Sequence, residues 1–311
     1  MRILSVIALC FPAQFIQAQE AGPWIQKGDS LLSAGQSRKA IASYTTAIEL
    51  DRRSVSAYEG RARAYLDLEQ LDRFVLDVDQ VLRMDTASFQ GHLLKATYAI
   101  RGEDLNTAEH HAARAIAFAP DDKGRGEALL ISGMAKAVYK DPGPAILDLE
   151  AGLASGADQL EARAVLARLY DTAGRHAEAL DLLEDLCEAE PKNIAHWSNR
   201  GYELYKLKRY DEALDILAQA LRIDKDEPVT LNNQAQVLLA KGSYKEAMRA
   251  VEHSLRSAPA HAHALKTRAL IHFQLGEKEK GCADLADART IGGIADLIQL
   301  IESHCPPGSG H

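Results

Sequence analysis

The sequence predicts an all-α solenoid of about eight helix–turn–helix repeats that ends in a capping helix. The chain has 311 residues and is self-similar at a period of 34 residues, and such periods are typical of stacked repeats. Within each period, apolar residues recur at i, i+3, i+4 and i+7 in two stretches, the pattern of amphipathic helices. Aromatic residues make up only 6% of the chain, and small residues stand where two helices of a pair would approach closely.

The period defines the following units. Trp24, Gly28 and Tyr44 mark the first unit, and residues of similar size return 34 positions later along the chain. Pro120 and Pro191 stand where second helices should end. Three extra residues, near 123–125, shift the register once. Within a repeat domain at 19–295, the predicted units are 21–54, 55–88, 89–122, 126–159, 160–193, 194–227, 228–261 and 262–295.

The chain end after these units is predicted to close the array. Residues 296–311 should form a capping helix, which a solenoid needs over its last apolar face, and a mobile tail. Cys282 on the last repeat and Cys305 after the cap could form a disulfide in an oxidising compartment, and two separate buried thiols are the alternative. Cys187 is predicted to be a core thiol.

Residues 1–18 are predicted to be a secretory signal peptide. Arg2 supplies a basic start, and residues 3–11 form an apolar run too short to span a bilayer. Cleavage is expected after Ala18. Lipidation at Cys10 and an uncleaved anchor are the alternatives. The protein is therefore predicted to be exported and to be periplasmic or secreted.

Composition excludes several classes of protein. A hydrophobic fraction of 47% is that of a globular chain, so the protein is not intrinsically disordered. No run of about 20 apolar residues occurs, which excludes a multi-pass membrane protein. With 36 Lys+Arg against 44 Asp+Glu the formal net charge is −8. This disfavours nucleic acid as a partner, since phosphate binding requires a basic surface.

The repeated residues resemble the tetratricopeptide repeat family, whose pattern is W-x2-L-G-x2-Y, then A-x3-F-x2-A, then P. The sixth unit is nearest to it, with Trp197, Gly201, Ala213 and Ala220, whereas the third and fourth units depart most. The resemblance implies a right-handed superhelical solenoid, similar to secreted bacterial proteins of this family. It also implies a protein–protein interaction scaffold that binds an extended peptide or helix of a partner in its concave groove.

Places in a repeat are counted from the first residue of each predicted unit. The resemblance further implies that places two, five, six, nine, twelve and thirteen of each repeat face this groove. In the last four units these places carry amides, which both donate and accept hydrogen bonds, and aromatic rings, which offer flat contact. Asn199 and Asn233 lie 34 residues apart at the sixth place and resemble two rungs of an asparagine ladder. The predicted groove residues are Arg168, Asn199, Tyr202, Tyr205, Lys206, Asn232, Asn233, Gln236, Lys266 and Phe273, together with Ser198, His263 and Gln274.

Neither a catalytic nor a metal site is predicted. The pair His110–His111 does not converge on one ion, because adjacent helical residues point about 100° apart. His261 and His263 lack a further ligand at suitable spacing. Motifs of serine hydrolases, zinc proteases and phosphate-binding loops do not occur, so an enzyme and a cofactor are not expected. The acidic residues Asp67, Asp72, Asp77 and Asp79 are interpreted as a solvated helix face.

Two other functions remain open at this point. In the first, the chain is a structural or oligomerising envelope assembly protein that binds through the outer faces of its repeats. In the second, it is a non-catalytic accessory subunit of an envelope enzyme. The sequence predicts neither the identity of the partner nor the oligomeric state.

Overall fold

A computed structural model describes the backbone of residues 13–294 and 296–305, and side chains from residue 21 onward within these ranges. The predicted signal peptide and the tail after Cys305 lie outside the residues whose side chains are described. Over the described ranges all regular secondary structure is α-helical, which confirms the predicted all-α repeat solenoid. Among these helices, none is long and apolar enough to cross a membrane.

The chain divides into two compact bodies, residues 1–162 and 163–311, called here the N-terminal and C-terminal bodies. The N-terminal body contains α1 (Ala13–Ser33), α2 (Ser37–Leu50), α3 (Val55–Asp67), α4 (Leu71–Met84), α5 (Phe89–Arg101), α6 (Leu105–Phe118), α7 (Asp122–Lys136) and α8 (Gly143–Ala154). Helix α9 (Leu160–Thr172) contains the boundary. The C-terminal body continues with α10 (His176–Ala189), α11 (Ile194–Lys206), α12 (Tyr210–Ile223), α13 (Pro228–Ala240), α14 (Tyr244–Ser257), α15 (Ala262–Gln274), α16 (Lys278–Ile291) and α17 (Leu297–His304).

The helix pairs follow the 34-residue period of the sequence. The first helix of a pair begins at residue 55, 89, 160, 194, 228 and 262, which is the first residue of the corresponding predicted unit. The extra residues 123–125 extend α7, which has 15 residues where α5 has 13. Asp121 caps this longer helix by accepting a hydrogen bond from the Gly124 amide at 2.7 Å. The insertion therefore lengthens the first helix of the fourth pair and leaves the pairing intact.

Small residues let the paired helices approach closely. Ala213, Ala220, Ala247 and Ala288 are fully buried at the helix contacts of the C-terminal body. In the N-terminal body the fully buried ring of Tyr44 lies against Gly28 and Gly60, where an added Cβ would overlap the ring. The Tyr44 hydroxyl donates to Asp29 at 2.7 Å. Core packing thus depends on glycine and alanine as much as on large apolar side chains.

The interpretation of the α4 aspartates as a solvated face was wrong for Asp77. Its side chain is only 7% exposed and accepts two hydrogen bonds from the Arg61 guanidinium, both at 2.8 Å. Arg268 and Asp284 repeat this bidentate pair in the last repeat, at 2.8 and 2.6 Å. In both repeats the arginine stands at place seven, on the first helix, and the aspartate stands at place 23, on the second helix. The acidic residue therefore faces its partner helix, where a buried carboxylate needs a cation.

The helix α17 closes the C-terminal body. Leu297 is buried in the last apolar cluster, and Phe273 stacks on His304 with ring centroids 4.5 Å apart. A disulfide joins Cys282 to Cys305, with their Cα atoms 5.8 Å apart. The capping helix is thus held to the last repeat by an apolar contact, a ring stack and a covalent bond.

Candidate functional site

A pocket of about 370 Å³ lies on the first helices of repeats six to eight. All of its lining residues occupy places two, five, six, nine, twelve or thirteen of their repeats, which are the places predicted to face the groove. They are Tyr202, Tyr205 and Lys206 from α11, Gln236, Leu239 and Ala240 from α13, and His263, Lys266, Thr267 and Leu270 from α15. A larger depression of about 590 Å³ beside α16 contains none of these places.

Tyrosine rings form one wall of the pocket. The ring centroids of Tyr202 and Tyr205 are 6.0 Å apart, and Tyr210 continues the row at 6.1 Å from Tyr205. Burial, followed by the charges of Asp171 and Glu203, raises the pKa of Tyr202 to about 12. Both phenols are therefore neutral donors near pH 7, and among the described residues neither hydroxyl of Tyr202 and Tyr205 has a hydrogen-bond partner.

Polar side chains from all three helices also line the pocket. Gln236 lies at hydrogen-bond distance from the Thr267 hydroxyl, with Nε2 and Oγ1 3.5 Å apart. Lys266 donates to both carboxylate oxygens of Asp296, at 2.7 and 2.6 Å. These hydrogen bonds lower the pKa of Asp296. Lys206 is exposed, and its ammonium lies 5.7 Å from the centre of the Tyr202 ring. Of the two pocket lysines, Lys206 is therefore the more available to an acidic group.

Five of the predicted groove residues lie together in this pocket: Tyr202, Tyr205, Lys206, Gln236 and Lys266. His263, from the wider prediction, joins them. Leu239, Ala240, Thr267 and Leu270 also line the pocket and were missed. Their places in the repeat carry the signal, whereas the prediction covered mainly amides, charged residues and rings at those places.

The other predicted groove residues lie elsewhere. Asn233 is buried and donates to the Ser198 hydroxyl at 3.1 Å, whereas Asn199 is exposed, so the two predicted ladder rungs have different surroundings. Asn232 is buried too, and its Oδ1 has no hydrogen-bond partner among the described residues. Arg168 is exposed outside the pocket, and Phe273 packs under the capping helix instead.

Two histidine clusters were also missed. In the N-terminal body His111 faces His92 across two helices, with their Nδ1 atoms 2.8 Å apart. The Nε2–H of His92 donates to the Thr86 carbonyl at 3.1 Å, so His111 is the donor between the two rings. In the C-terminal body His176 lies beside two carboxylates, Asp171 and Glu203. Each cluster joins residues from different helices, so adjacency in the sequence does not reveal it.

Comparison with known proteins identifies the repeat. Two models described as the tetratricopeptide repeat match residues 25–89 and 165–228, and residues 204–271, which together make up more than half of the chain. Protein FlbA of Caulobacter vibrioides is 28% identical over 234 residues, which cover 75% of this chain and 38% of that protein. The Hsp70-Hsp90 organizing protein of Triticum aestivum is 24% identical over 244 residues, covering 78% and 36%. The chain thus spans less than two fifths of the length of either relative.

A solved structure shows the same fold. The crystal structure of the APC/C hetero-tetramer Cut9–Hcn1 aligns with a TM-score of 0.57 and 14% identity, covering 91% of this chain and 55% of that one. Proteins built of such repeats are typically non-catalytic scaffolds for protein–protein interaction. On the family matches and the helix pairs together, this chain belongs to the tetratricopeptide repeat family.

Proposed function

We propose that the protein holds an extended peptide segment of a partner protein in the pocket on α11, α13 and α15. The observation that carries this proposal is the position of the pocket, because every lining residue stands at a place predicted to face the groove. A cavity of about 370 Å³ suits one or two side chains of a peptide, with the rest of the segment lying along the neighbouring first helices. The relative named for organising Hsp70 and Hsp90 supports the scaffold role in general.

The chemistry of the pocket suits a peptide that combines an apolar side chain with backbone polar groups. The rings of Tyr202 and Tyr205 offer flat apolar contact at a low cost in conformational entropy. Their unpaired hydroxyls can donate to peptide carbonyls, and the amide of Gln236 can both donate and accept. Lys206, exposed at the rim, favours an acidic residue next to the apolar one.

The test is to measure partner binding with the pocket tyrosines removed. A partner is first identified by crosslinking mass spectrometry on cells, and its affinity for the purified chain is then measured. Tyr205→Ala should weaken binding about 30-fold, since a buried aromatic anchor contributes about 2 kcal/mol. Tyr139→Ala, which removes a 46% exposed tyrosine from the N-terminal body, is the matched control and should leave affinity unchanged.

An unchanged affinity of Tyr205→Ala would contradict the proposal. If that variant binds normally while substitutions on the second helices alter the sedimentation of the protein, the outer faces carry the function. The protein would then be an oligomerising assembly component, and the pocket would have no part in it.

We further propose that the protein is exported. The basic start and short apolar run of residues 1–18 support this proposal. The disulfide between Cys282 and Cys305 also supports it, because disulfides persist in oxidising compartments. Mass spectrometry of the protein from its native source should find a chain that starts at Gln19, and a chain that retains Met1 would contradict export by cleavage.

A further inference from the structure

Three side chains of metal-ligand type converge where repeat five meets repeat six. Asp171 lies near the end of α9, His176 begins α10, and Glu203 lies on α11. His176 Nδ1 is 2.8 Å from Glu203 Oε2 and 3.5 Å from Asp171 Oδ1. One ligand atom from each of the three residues lies within 4.8 Å of the other two. The cluster lies within the C-terminal body and outside the pocket lining.

The charge of this cluster is not balanced by its own residues. The Glu203 side chain is 3% exposed, that of His176 is 19% exposed and that of Asp171 is 36% exposed. Two carboxylates share the single imidazole of His176, and one of them is the buried side chain of Glu203. Such a buried carboxylate is stabilised by a cation that several oxygens contact at once.

We propose that Asp171, His176 and Glu203 bind one divalent transition-metal ion of the Zn²⁺ type. Ligand atoms bind Zn²⁺ at about 2.0–2.2 Å, so neighbouring ligands lie about 3–3.5 Å apart. The two separations from His176 Nδ1, 2.8 and 3.5 Å, lie close to this spacing, and the third pair, Asp171 and Glu203, has ligand atoms within 4.8 Å of each other. One imidazole with two carboxylates suits Zn²⁺, Co²⁺ or Mn²⁺, whereas Ca²⁺ and Mg²⁺ prefer oxygen ligands throughout.

The position of the cluster gives the ion access to solvent and lets it link two parts of the fold. The half-exposed edge at Asp171 opens the cluster to solvent, and three protein ligands leave a fourth position for water. The ion joins the turn between α9 and α10 to α11, at the residue next to Tyr202. It therefore fixes the part of α11 that carries the tyrosine wall. This inference goes beyond the proposed peptide binding and does not depend on it.

The test is a titration of the full-length, tag-free chain with Zn²⁺ after chelator treatment, followed by calorimetry. We expect one high-affinity ion per chain, and Co²⁺ should give visible absorption bands at the same stoichiometry. Asp171→Asn and His176→Asn should each weaken Zn²⁺ affinity at least tenfold, since loss of even an outer-shell partner weakens metal sites by about 10- to 100-fold. Because Asp171 is partly exposed, its substitution keeps the fold, and circular dichroism verifies this.

The matched control is His253→Asn. His253 also pairs with an aspartate, Asp226, at 2.8 Å, but the described residues provide no third ligand there. This control should leave the Zn²⁺ affinity unchanged. Absence of binding, binding that survives both Asp171→Asn and His176→Asn, or equal loss in the control would overturn the proposal. No partner protein enters the titration, so its failure is distinct from failure of peptide binding.

Discussion

Replacing Asp77 by alanine should loosen the helix pair of repeat two. In the native chain the Arg61 side chain is 16% exposed, and its guanidinium makes two charge-assisted hydrogen bonds to Asp77, each of 2.8 Å. The variant leaves this guanidinium buried with one weaker hydrogen bond, to the Thr45 hydroxyl at 3.2 Å. The rings of Tyr58 and Tyr65 remain 5.4 and 5.8 Å from it. The charge therefore keeps some favourable contacts and loses its counter-ion.

The magnitude follows from that residual environment. Removing one partner of a buried ion pair destabilises a protein by about 3–5 kcal/mol. Because the Arg61 guanidinium keeps a hydroxyl and two rings, we expect the lower end, about 3 kcal/mol. The matched control is Glu212→Ala, which breaks a pair with Arg209 whose side chains are 57% and 46% exposed. Such surface pairs contribute about 0.2–1 kcal/mol.

Hydrogen exchange measured by mass spectrometry localises the effect. Repeat proteins open in parts, so peptides from α3 and α4 should be read separately from those of the C-terminal body. A loss of about 3 kcal/mol accelerates exchange through local opening by roughly 100-fold. If Asp77→Ala accelerates exchange in α3 and α4 no more than Glu212→Ala does in α12, the inference that the buried pair holds the repeat is refuted.

Three further predictions concern other contacts. Burial lowers the pKa of His111 from 6.5 to about 4. The neutral imidazole therefore stabilises the fold fully above pH 6.5, and this contribution is lost as the pH falls towards 4. His111→Gln, which still donates to His92, should flatten the dependence of the melting temperature on pH over this range. Cys305→Ser should lower the free energy of unfolding of the C-terminal body by about 2–4 kcal/mol in urea titrations. Gly201→Ala should lower it by about 1–3 kcal/mol, because the added Cβ would lie 2.6 Å from Leu217.

Each of these predictions has a control and a contradicting result. A His111→Gln profile parallel to that of the native protein would mean that the histidine pair has no part in acid destabilisation. Added reductant should reproduce the effect of Cys305→Ser, and an unaffected urea midpoint would show that the disulfide does not hold the cap. Gly22→Ala, with no atom within 4 Å of the added Cβ, should be neutral or stabilising by up to about 1 kcal/mol, and equal losses in both glycine variants would contradict the packing argument.

The repeat architecture is predictable because its signals are local and recur. Helix α11 begins at residue 194, the first residue of the predicted sixth unit, and the glycine at place eight, Gly201, stands where Leu217 of the paired helix requires it. The same spacing places Tyr44 against Gly28. A signal that repeats every 34 residues can be averaged over the chain, so single departures do not hide it.

The site is predictable only in part, because neighbours across helices are not visible in spacing alone. Places in the repeat located the tyrosine wall, yet the burial of Asn233 against Ser198 depends on which atoms meet between neighbouring repeats. The convergence of Asp171 with Glu203 is of the same kind, since the two residues belong to successive repeats. The contact of Asp77 with Arg61 of the paired helix is likewise not visible in the spacing of the acidic residues.

Site-directed photocrosslinking in the native cells tests peptide binding in the pocket most directly. A photoreactive residue at position 206, on the exposed rim of the pocket, is compared with one at position 222, which is exposed on the second helix α12. Position 206 should give adducts to one short segment of a partner, and Tyr205→Ala should abolish them. Adducts from position 222 alone, or adducts from position 206 that survive Tyr205→Ala, would contradict the account.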